Sequence, residues 1–141
     1  MNLYLQDKIE SLTQREPVFV SPHETLRSVA HTMWVENVGV LVVGEPQRAL
    51  GMISERDVVG RIGQGGDADT LTAEQAMTRY VVAAQVGDPV HEAAFEMLDG
   101  SIRHLPVVDE GGRVVAVVSV RDLLRPLLLD ALEGQAPDSP G

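Results

Sequence analysis

The chain has 141 residues, which is enough to bury a hydrophobic core and lies within the range of one domain. Hydrophobic residues make up 44% of it and charged residues 23%, a composition typical of folded rather than disordered proteins. With 21 acidic and 11 basic side chains, its formal net charge of -10 disfavours binding to nucleic acid or to an anionic membrane. The absence of cysteine excludes disulfides and thiolate-ligated zinc.

The first residues of the chain do not resemble a targeting or membrane-spanning segment. Residues 1–14 mix charged and apolar side chains, and they lack the basic start, apolar core and cleavage site of a signal peptide. No apolar run approaches the roughly 18 residues that suggest a membrane span. We therefore expect a cytoplasmic chain that begins with an N-terminal helical segment over residues 1–17.

The first half of the chain is predicted to contain a strand, a helix, two further strands and a second helix. Residues 18–20 are rich in β-formers, and they precede an apolar stripe at helical spacing that consists of Leu26, Val29, Ala30 and Met33. Residues 38–43 and 50–53 are predicted as strands on either side of a turn at residues 45–48. A second helix is expected to open near Ser54.

The start of the first helix has two candidate positions. Residues 21–24, with the sequence SPHE, resemble a capping box with proline at the first helical position. In the second half, the equivalent Asp88 and Pro89 would cap a helix that starts three residues later. We expect the later start in both halves.

A connector is predicted over residues 61–78, because a glycine-rich stretch leads there into a short capped helix at residues 72–77. The second half then repeats the order of the first, with strands at 81–84, 105–108 and 114–118. Its first helix carries Val90, Ala93, Ala94, Met97 and Leu98, and its last helix starts near Ser119. Residues 133–141 are rich in Pro, Gly, Asp and Ser, and they are predicted to be disordered.

The two halves are an internal repeat. Residues 50–59, LGMISERDVV, are matched by residues 115–124, VAVVSVRDLL, in which Ser, Arg and Asp recur in the same order. Each half follows the order β-α-β-β-α, so the predicted fold class is α+β, with a repeat at 18–60 and another at 79–132. Because about 60 residues bury a core with difficulty, we expect the repeats to pack together with pseudo-two-fold symmetry.

This pattern resembles the cystathionine-β-synthase (CBS) domain family. The resemblance rests on a helix ending in Met, a strand VGVLVV or HLPVVD, and a hydrophobic strand that closes in Ser-x-Arg-Asp. It covers roughly residues 18–124 and implies a tandem CBS-domain pair. By this resemblance the chain would bind an adenosine nucleotide such as AMP, ADP or ATP in a cleft between the repeats, and no other cofactor would be required.

The resemblance also implies roles for individual residues. The ribose would be contacted by Ser54, Asp57, Ser119 and Asp122, since an ionised carboxylate accepts two hydrogen bonds from adjacent hydroxyls. The purine slots would be lined by Gly39, Val40, Leu41, His104, Leu105 and Pro106. Phosphates need positive charge, for which the candidates are Arg56, Arg103, Arg121 and, at acidic pH, His104.

Simpler interpretations of these motifs stay open. Residues 54–57 and 119–122 each fit the S/T-x-x-D/E capping box, in which serine and acid satisfy each other's backbone amides. His91 and Glu92 fall short of the zinc motif H-E-x-x-H, because Phe95 stands where the second histidine would be. No Ser-His-Asp set or acid-base pair of carboxylates stands out, so we predict neither catalysis nor a metal site.

Two functions from different classes follow from these observations. The first is a regulatory sensor in signal transduction, in which ligand binding changes the packing of the repeats or of a homodimer and so signals to an effector protein. The homodimer would form through exposed faces of the repeat helices, extended by residues 3–12. The alternative is a constitutive dimerisation or scaffold module that binds no ligand. Neither function involves nucleic acid or a membrane.

Overall fold

The computed structural model describes residues 3–13, 15–79 and 82–135. In the first half of the chain, a sheet with the order β1-β2-β3 is formed by Phe19–Val20, Val40–Glu45 and Arg48–Ser54. β1 runs parallel to β2, and β2 runs antiparallel to β3. Three consecutive residues of β2, Leu41, Val42 and Val43, are buried, which indicates that both faces of this strand are covered.

Three helices accompany this sheet: α1 is Leu26–Glu36, α2 is Glu55–Gly63 and α3 is Ala73–Ala76. The later of the two candidate starts of α1 is confirmed, because Thr25 is its N-cap and the Thr25 side chain accepts the Ser28 N–H at 3.2 Å. The predicted connector helix is also present as α3, which begins in a capping box. The buried face of α1 packs into the first core, which contains Leu26, Val29, Met33, Leu41 and Ile53.

The second half forms a sheet with the order β4-β5-β6 and two helices. The strands are Ala84–Gln85, His104–Val108 and Val114–Ser119, and the helices are α4 at Val90–Gly100 and α5 at Val120–Gln135. β4 runs parallel to β5, so both halves share the β-α-β-β-α order that the sequence predicts. The second core contains Val90, Ala93, Met97, Leu105 and Val118.

Two details of the second half differ from the sequence-based expectation. Asp88 does not cap α4: the N-cap is Pro89, and the Asp88 carboxylate instead accepts the Gln85 N–H at 2.8 Å within the preceding turn. The helix α5 extends to Gln135, three residues into the segment predicted to be disordered. The remaining residues of that segment, 136–141, and residue 81 of the predicted strand lie outside the described residues.

The chain divides into two compact units. One contains the described residues of Met1–Arg15, Val82–Val108 and Ala116–Gly141, and the other contains those of Glu16–Val81 and Asp109–Val115. The predicted pseudo-two-fold packing of the repeats stays a prediction. Among the residues that the structure describes, no helix is long and apolar enough to cross a membrane.

The N-terminal segment belongs to the unit that contains the second repeat. It forms two 3₁₀-helical turns, Leu3–Gln6 and Ile9–Leu12, and the Ile9 side chain is 0% exposed within the second core. The Ile9 N–H donates to Asp88 O at 2.8 Å, and the Val90 N–H donates to Asp7 O at 2.9 Å. The contacts that bury Ile9 are all within the same chain. The predicted role of this segment in a dimer contact therefore stays a prediction.

The connector holds the equivalent place in the other unit. The Ala73 N–H donates to Glu24 O at 2.7 Å, and the Leu26 N–H donates to Leu71 O at 2.9 Å. These partners lie 64 positions from those of the N-terminal segment, so the same pair of backbone bonds is made twice. The structural repeat therefore includes the short helical segment that precedes each first strand.

Candidate functional site

The Ser54–Asp57 motif forms a complete capping box at the start of α2. The Asp57 Oδ2 atom accepts the Ser54 N–H at 2.8 Å and the Ser54 hydroxyl at 3.0 Å. The Asp57 N–H donates in turn to Ser54 Oγ at 3.2 Å. Both residues are half-buried, so the carboxylate is held in one orientation at the end of β3 while part of it stays accessible.

The Ser119–Asp122 motif has the same arrangement at the start of α5. Asp122 Oδ2 accepts the Ser119 N–H at 2.8 Å and the Ser119 hydroxyl at 3.0 Å, and the Asp122 N–H donates to Ser119 Oγ at 3.2 Å. The capping interpretation of both motifs is therefore confirmed. Capping uses mainly one carboxylate oxygen of each aspartate, so it does not exclude a ligand contact through the other.

Each motif is attached by one backbone bond to the residue that directly precedes the neighbouring strand, β2 or β5. The Glu55 N–H donates to Gly39 O at 2.9 Å, and the Val120 N–H donates to Arg103 O at 3.0 Å. Gly39 is therefore equivalent to Arg103, not to His104 as the serine spacing suggests. The extra residue of the second repeat follows in the β5–β6 turn, where the Asp109 carboxylate accepts two backbone N–H groups.

The predicted purine-lining residues fall into two groups. Leu41 and Leu105 are each 0% exposed and belong to the two hydrophobic cores, so neither presents an accessible side chain to a ligand. Pro106 is also fully buried and has no N–H to donate. Gly39, Val40 and His104 are half-buried at the starts of β2 and β5, close to the capping motifs.

The three arginines that were predicted to contact phosphate are exposed. Arg56 and Arg121 lie on the first turns of α2 and α5, directly between the serine and the aspartate of each motif. Arg103 is exposed beside the second motif through the backbone bond from Val120. Their side chains are therefore accessible to a solvated anion.

Thr78 is a neighbour of the first motif that the sequence analysis missed. Its backbone pairs with Met52 of β3, and its hydroxyl donates to Asp57 Oδ1 at 3.3 Å. The Asp57 carboxylate is therefore contacted on both oxygens. Only a long-range pairing brings Thr78 there, and no local sequence pattern predicts such a pairing.

Glu55 was also missed as a candidate. Its Oε1 atom lies against Gly39, 3.0 Å from where a Cβ on that glycine would stand. The sequence did contain a signal, because the variable second position of the repeated motif is Glu55 in one copy and Val120 in the other. A metal centre finds no support among the described residues, where no three His, Asp or Glu side chains are grouped suitably.

The comparison with protein families decides the identity of the repeats. The model of the CBS domain matches residues 9–64 and again residues 73–129, which together make up most of the chain. The chain belongs to the CBS domain family. The two matches start 64 positions apart and include Ile9 and Ala73, in agreement with the structural repeat described above. The predicted α+β tandem CBS pair is thereby confirmed.

Proteins of other organisms resemble the chain over most of its length. An uncharacterised protein of Methanopyrus kandleri is 32% identical over 129 residues, which cover 89% of this chain and 66% of that protein. A CBS domain protein of Pyrobaculum aerophilum, solved in complex with AMP, is 32% identical with a TM-score of 0.79, covering 90% of this chain and 99% of that one.

The CBS domain pair of protein MJ0100 was solved with 5′-methylthioadenosine and S-adenosyl-L-methionine. It is 25% identical with a TM-score of 0.79, and the match covers 88% of this chain and 98% of that one. The CBS pair fold thus occurs in proteins that bind either a phosphorylated or an unphosphorylated adenosine derivative.

Proposed function

We propose that this CBS pair is a non-catalytic regulatory module that binds an adenosine derivative at its Ser-x-Arg-Asp motifs and transmits the bound state to another protein. The observation that carries the proposal is the matched geometry of Asp57 and Asp122. Each carboxylate is held by its serine through the same three hydrogen bonds. A preorientated carboxylate suits a ribose hydroxyl, because the Oδ1 atom of each aspartate takes no part in the capping bonds and has acceptor capacity left.

The comparisons support an adenosine ligand in particular. The Pyrobaculum protein was solved with AMP and matches nearly the whole chain at 32% identity. The MJ0100 pair was solved with two other adenosine derivatives. The moiety shared by these ligands is adenosine, so we propose that the motifs recognise the nucleoside. A position in a cleft between the repeats and a cytoplasmic location stay predictions.

Isothermal titration calorimetry against AMP, ADP, ATP, NAD and S-adenosylmethionine tests this function. We expect at least one of them to bind, and Asp57→Ala or Asp122→Ala to weaken it at least about tenfold by removing a charge-assisted acceptor. Asp88→Ala is a matched control, because its carboxylate also accepts one backbone N–H at 2.8 Å but lies outside the motifs.

The competing function is a constitutive dimerisation or scaffold module. It is favoured by one specific observation: the capping boxes are complete without a ligand, so Ser54, Asp57 and their counterparts have a structural role in any case. A ligand at 100 times its Kd stabilises the folded state by about 2.7 kcal/mol. If none of the five compounds raised the melting temperature or released heat, the scaffold function would replace the regulatory one.

We also propose that a second copy of the chain covers the exposed apolar helix faces. Trp34 on α1 is 85% exposed and Leu98 on α4 is 80% exposed, and these two residues occupy equivalent positions of the repeats. Val59 on α2 and Leu124 on α5 form a second exposed equivalent pair. Apolar surface that recurs at equivalent positions fits a symmetric interface, since a homodimer buries the same patch on both subunits.

Sedimentation equilibrium tests the homodimer. We expect the wild type to be dimeric and the double variant Trp34→Asp, Leu98→Asp to be monomeric, because each substitution places charge in the apolar contact. Val86→Asp is the control, since Val86 is exposed but lies outside the helices. A monomeric wild type would leave signalling through a change within one chain as the mode of action.

A further inference from the structure

The two copies of the motif carry different charges, although their backbones are arranged alike. In the first repeat, Glu55 follows the capping serine and its carboxylate lies against Gly39. In the second repeat, the equivalent positions are occupied by Val120 and Arg103, which are joined by the same backbone hydrogen bond. This pair of positions therefore contributes one anion to the first repeat and one cation to the second.

The other charges of the motifs are matched between the repeats. The matched pairs are Arg56 with Arg121, Asp57 with Asp122, and Arg79 with Arg15. Arg79 follows Thr78, whose hydroxyl contacts Asp57, and Arg15 stands 64 positions earlier. These pairs contribute the same charge to both repeats. The difference in local charge therefore comes from Glu55 beside the first motif and Arg103 beside the second.

We infer that the two repeats select adenosine ligands of different charge: the second repeat takes a 5′-phosphorylated ligand, and the first takes one whose 5′ substituent is neutral or cationic. The inference rests on the proposed function, because each aspartate is taken to hold a ribose. A phosphate on that ribose lies within the Debye length, about 8 Å at physiological ionic strength, of the first helical turn. Glu55 repels such a phosphate, and Arg103 attracts it.

The same carboxylate favours a different chemical class of ligand in the first repeat. A 5′ substituent that carries a sulfonium or an ammonium group gains an attractive interaction with Glu55, whereas an uncharged thioether or hydroxyl avoids the repulsion. Gly39 strengthens this selection, because the absence of a side chain there lets the Glu55 carboxylate lie directly against the residue that precedes β2. At the equivalent position of the second repeat, Arg103 carries an exposed cationic side chain instead.

The test compares AMP with adenosine, which differ only in the phosphate, by calorimetry on single-site variants. Asp57→Ala leaves the second motif intact, and Asp122→Ala leaves the first. We expect the ratio of AMP to adenosine affinity to be at least about tenfold higher in Asp57→Ala than in Asp122→Ala, because Glu55 contributes a negative charge beside the first motif and Arg103 a positive charge beside the second. Raising the salt concentration should reduce that difference.

Exchanging the differing residues provides the matched controls. Glu55→Val in the Asp122→Ala background should raise the AMP-to-adenosine ratio about threefold to tenfold, and Val120→Glu in the Asp57→Ala background should lower it by a similar factor. Both exchanges are repeated with the two aspartates intact, so that loss of folding in an alanine variant does not remove the readout. Circular dichroism and melting curves verify that each variant is folded.

The outcomes separate this inference from the proposed function. Equal ratios in the two single-site variants, or ratios unchanged by Glu55→Val and Val120→Glu, would overturn the charge selection while leaving adenosine binding in place. Failure of wild type to bind adenosine, AMP or any other adenosine derivative would overturn both. A higher ratio at the first motif than at the second would contradict the assigned direction.

Discussion

The N-terminal segment and the connector are equivalent in backbone but not in side chains. The Ile9 N–H donates to Asp88 O at 2.8 Å, and the Ala73 N–H donates to Glu24 O at 2.7 Å. At this position one core therefore receives a large aliphatic side chain, whereas the other receives a methyl group. Ala76, Leu71, Ala68 and Met77 from the connector fill the first core further.

This difference teaches that the backbone bonds define the repeat and that each core is then filled in its own way. The connector packs on the repeat that precedes it, and the N-terminal segment packs in the unit that contains the second repeat. Removing the connector would expose the core of the repeat that directly precedes it. Removing the N-terminal segment would expose the core of the second repeat, which is distant in sequence. Stability of the second repeat thus depends on residues at the start of the chain.

The largest expected effect follows from removing the side chain that distinguishes the two segments. Ile9→Ala should lower the free energy of unfolding by about 2–5 kcal/mol, because the Ile9 side chain is 0% exposed and its loss leaves a cavity in the second core. Chemical denaturation monitored by circular dichroism measures this change. Ile62→Ala is the control, since Ile62 is exposed on α2. An equal loss in both variants would contradict the assigned packing.

Local chemistry explains how much of the fold was predictable from the sequence. The repeated Ser-x-Arg-Asp motifs specify both the helix starts and the candidate site, because a capping box is satisfied within four residues. The partner of the N-terminal segment is different, since no local pattern shows which repeat residues 3–12 pack against. Thr78 was missed for the same reason: its contact with Asp57 depends on a pairing with β3.

Asp88 shows a limit even of local patterns. An Asp-Pro pair before an apolar stripe suggests a helix cap, yet the Asp88 carboxylate accepts the Gln85 N–H and the helix begins after Pro89. Two local hydrogen-bonding arrangements compete for one side chain there, and the bond within the turn is the one that forms. The equivalent helix in the first repeat is capped by the Thr25 hydroxyl instead.

A smaller effect is expected where the connector approaches β3. Gly51 lies on β3, and a Cβ there would stand 2.6 Å from Thr78 O, a backbone atom that cannot rotate away. The equivalent residue of the second repeat is Ala116, whose side chain is accommodated in the second core. Gly51→Ala should therefore lower the free energy of unfolding by about 1–3 kcal/mol through overpacking.

The matched control for this substitution is Gly60→Ala. Gly60 lies in α2 with open space around a Cβ, so alanine should stabilise the helix by roughly 0.5–1 kcal/mol. Urea unfolding curves of both variants give the two signs directly. A neutral result for Gly51→Ala would mean that the connector moves away from β3 at little cost, and the contact between Thr78 and Asp57 would then be adjustable.

The smallest expected effect concerns two equivalent contacts, one between the connector and the first turn of α1 and one between the N-terminal segment and the first turn of α4. In the first repeat the contact is an ion pair between Arg27 and Asp69, and at the equivalent positions His91 Nδ1 lies 3.0 Å from Leu5 O. The hydrogen bond from Arg27 lowers the pKa of Asp69, but both side chains are largely exposed and therefore screened by water and salt.

Asp69→Asn should consequently lower the melting temperature less than Ile9→Ala or Gly51→Ala does. Because the folded pKa is lowered, the ion pair stabilises the fold above the unfolded carboxyl pKa of about 3.9, and this stabilisation is lost as the pH falls through the lower folded value. Melting curves at pH 7 should show a small decrease in low salt that vanishes near 1 M salt, where the Debye length is about 3 Å. A decrease of the same size near 1 M salt would contradict an ion-pair origin of the effect.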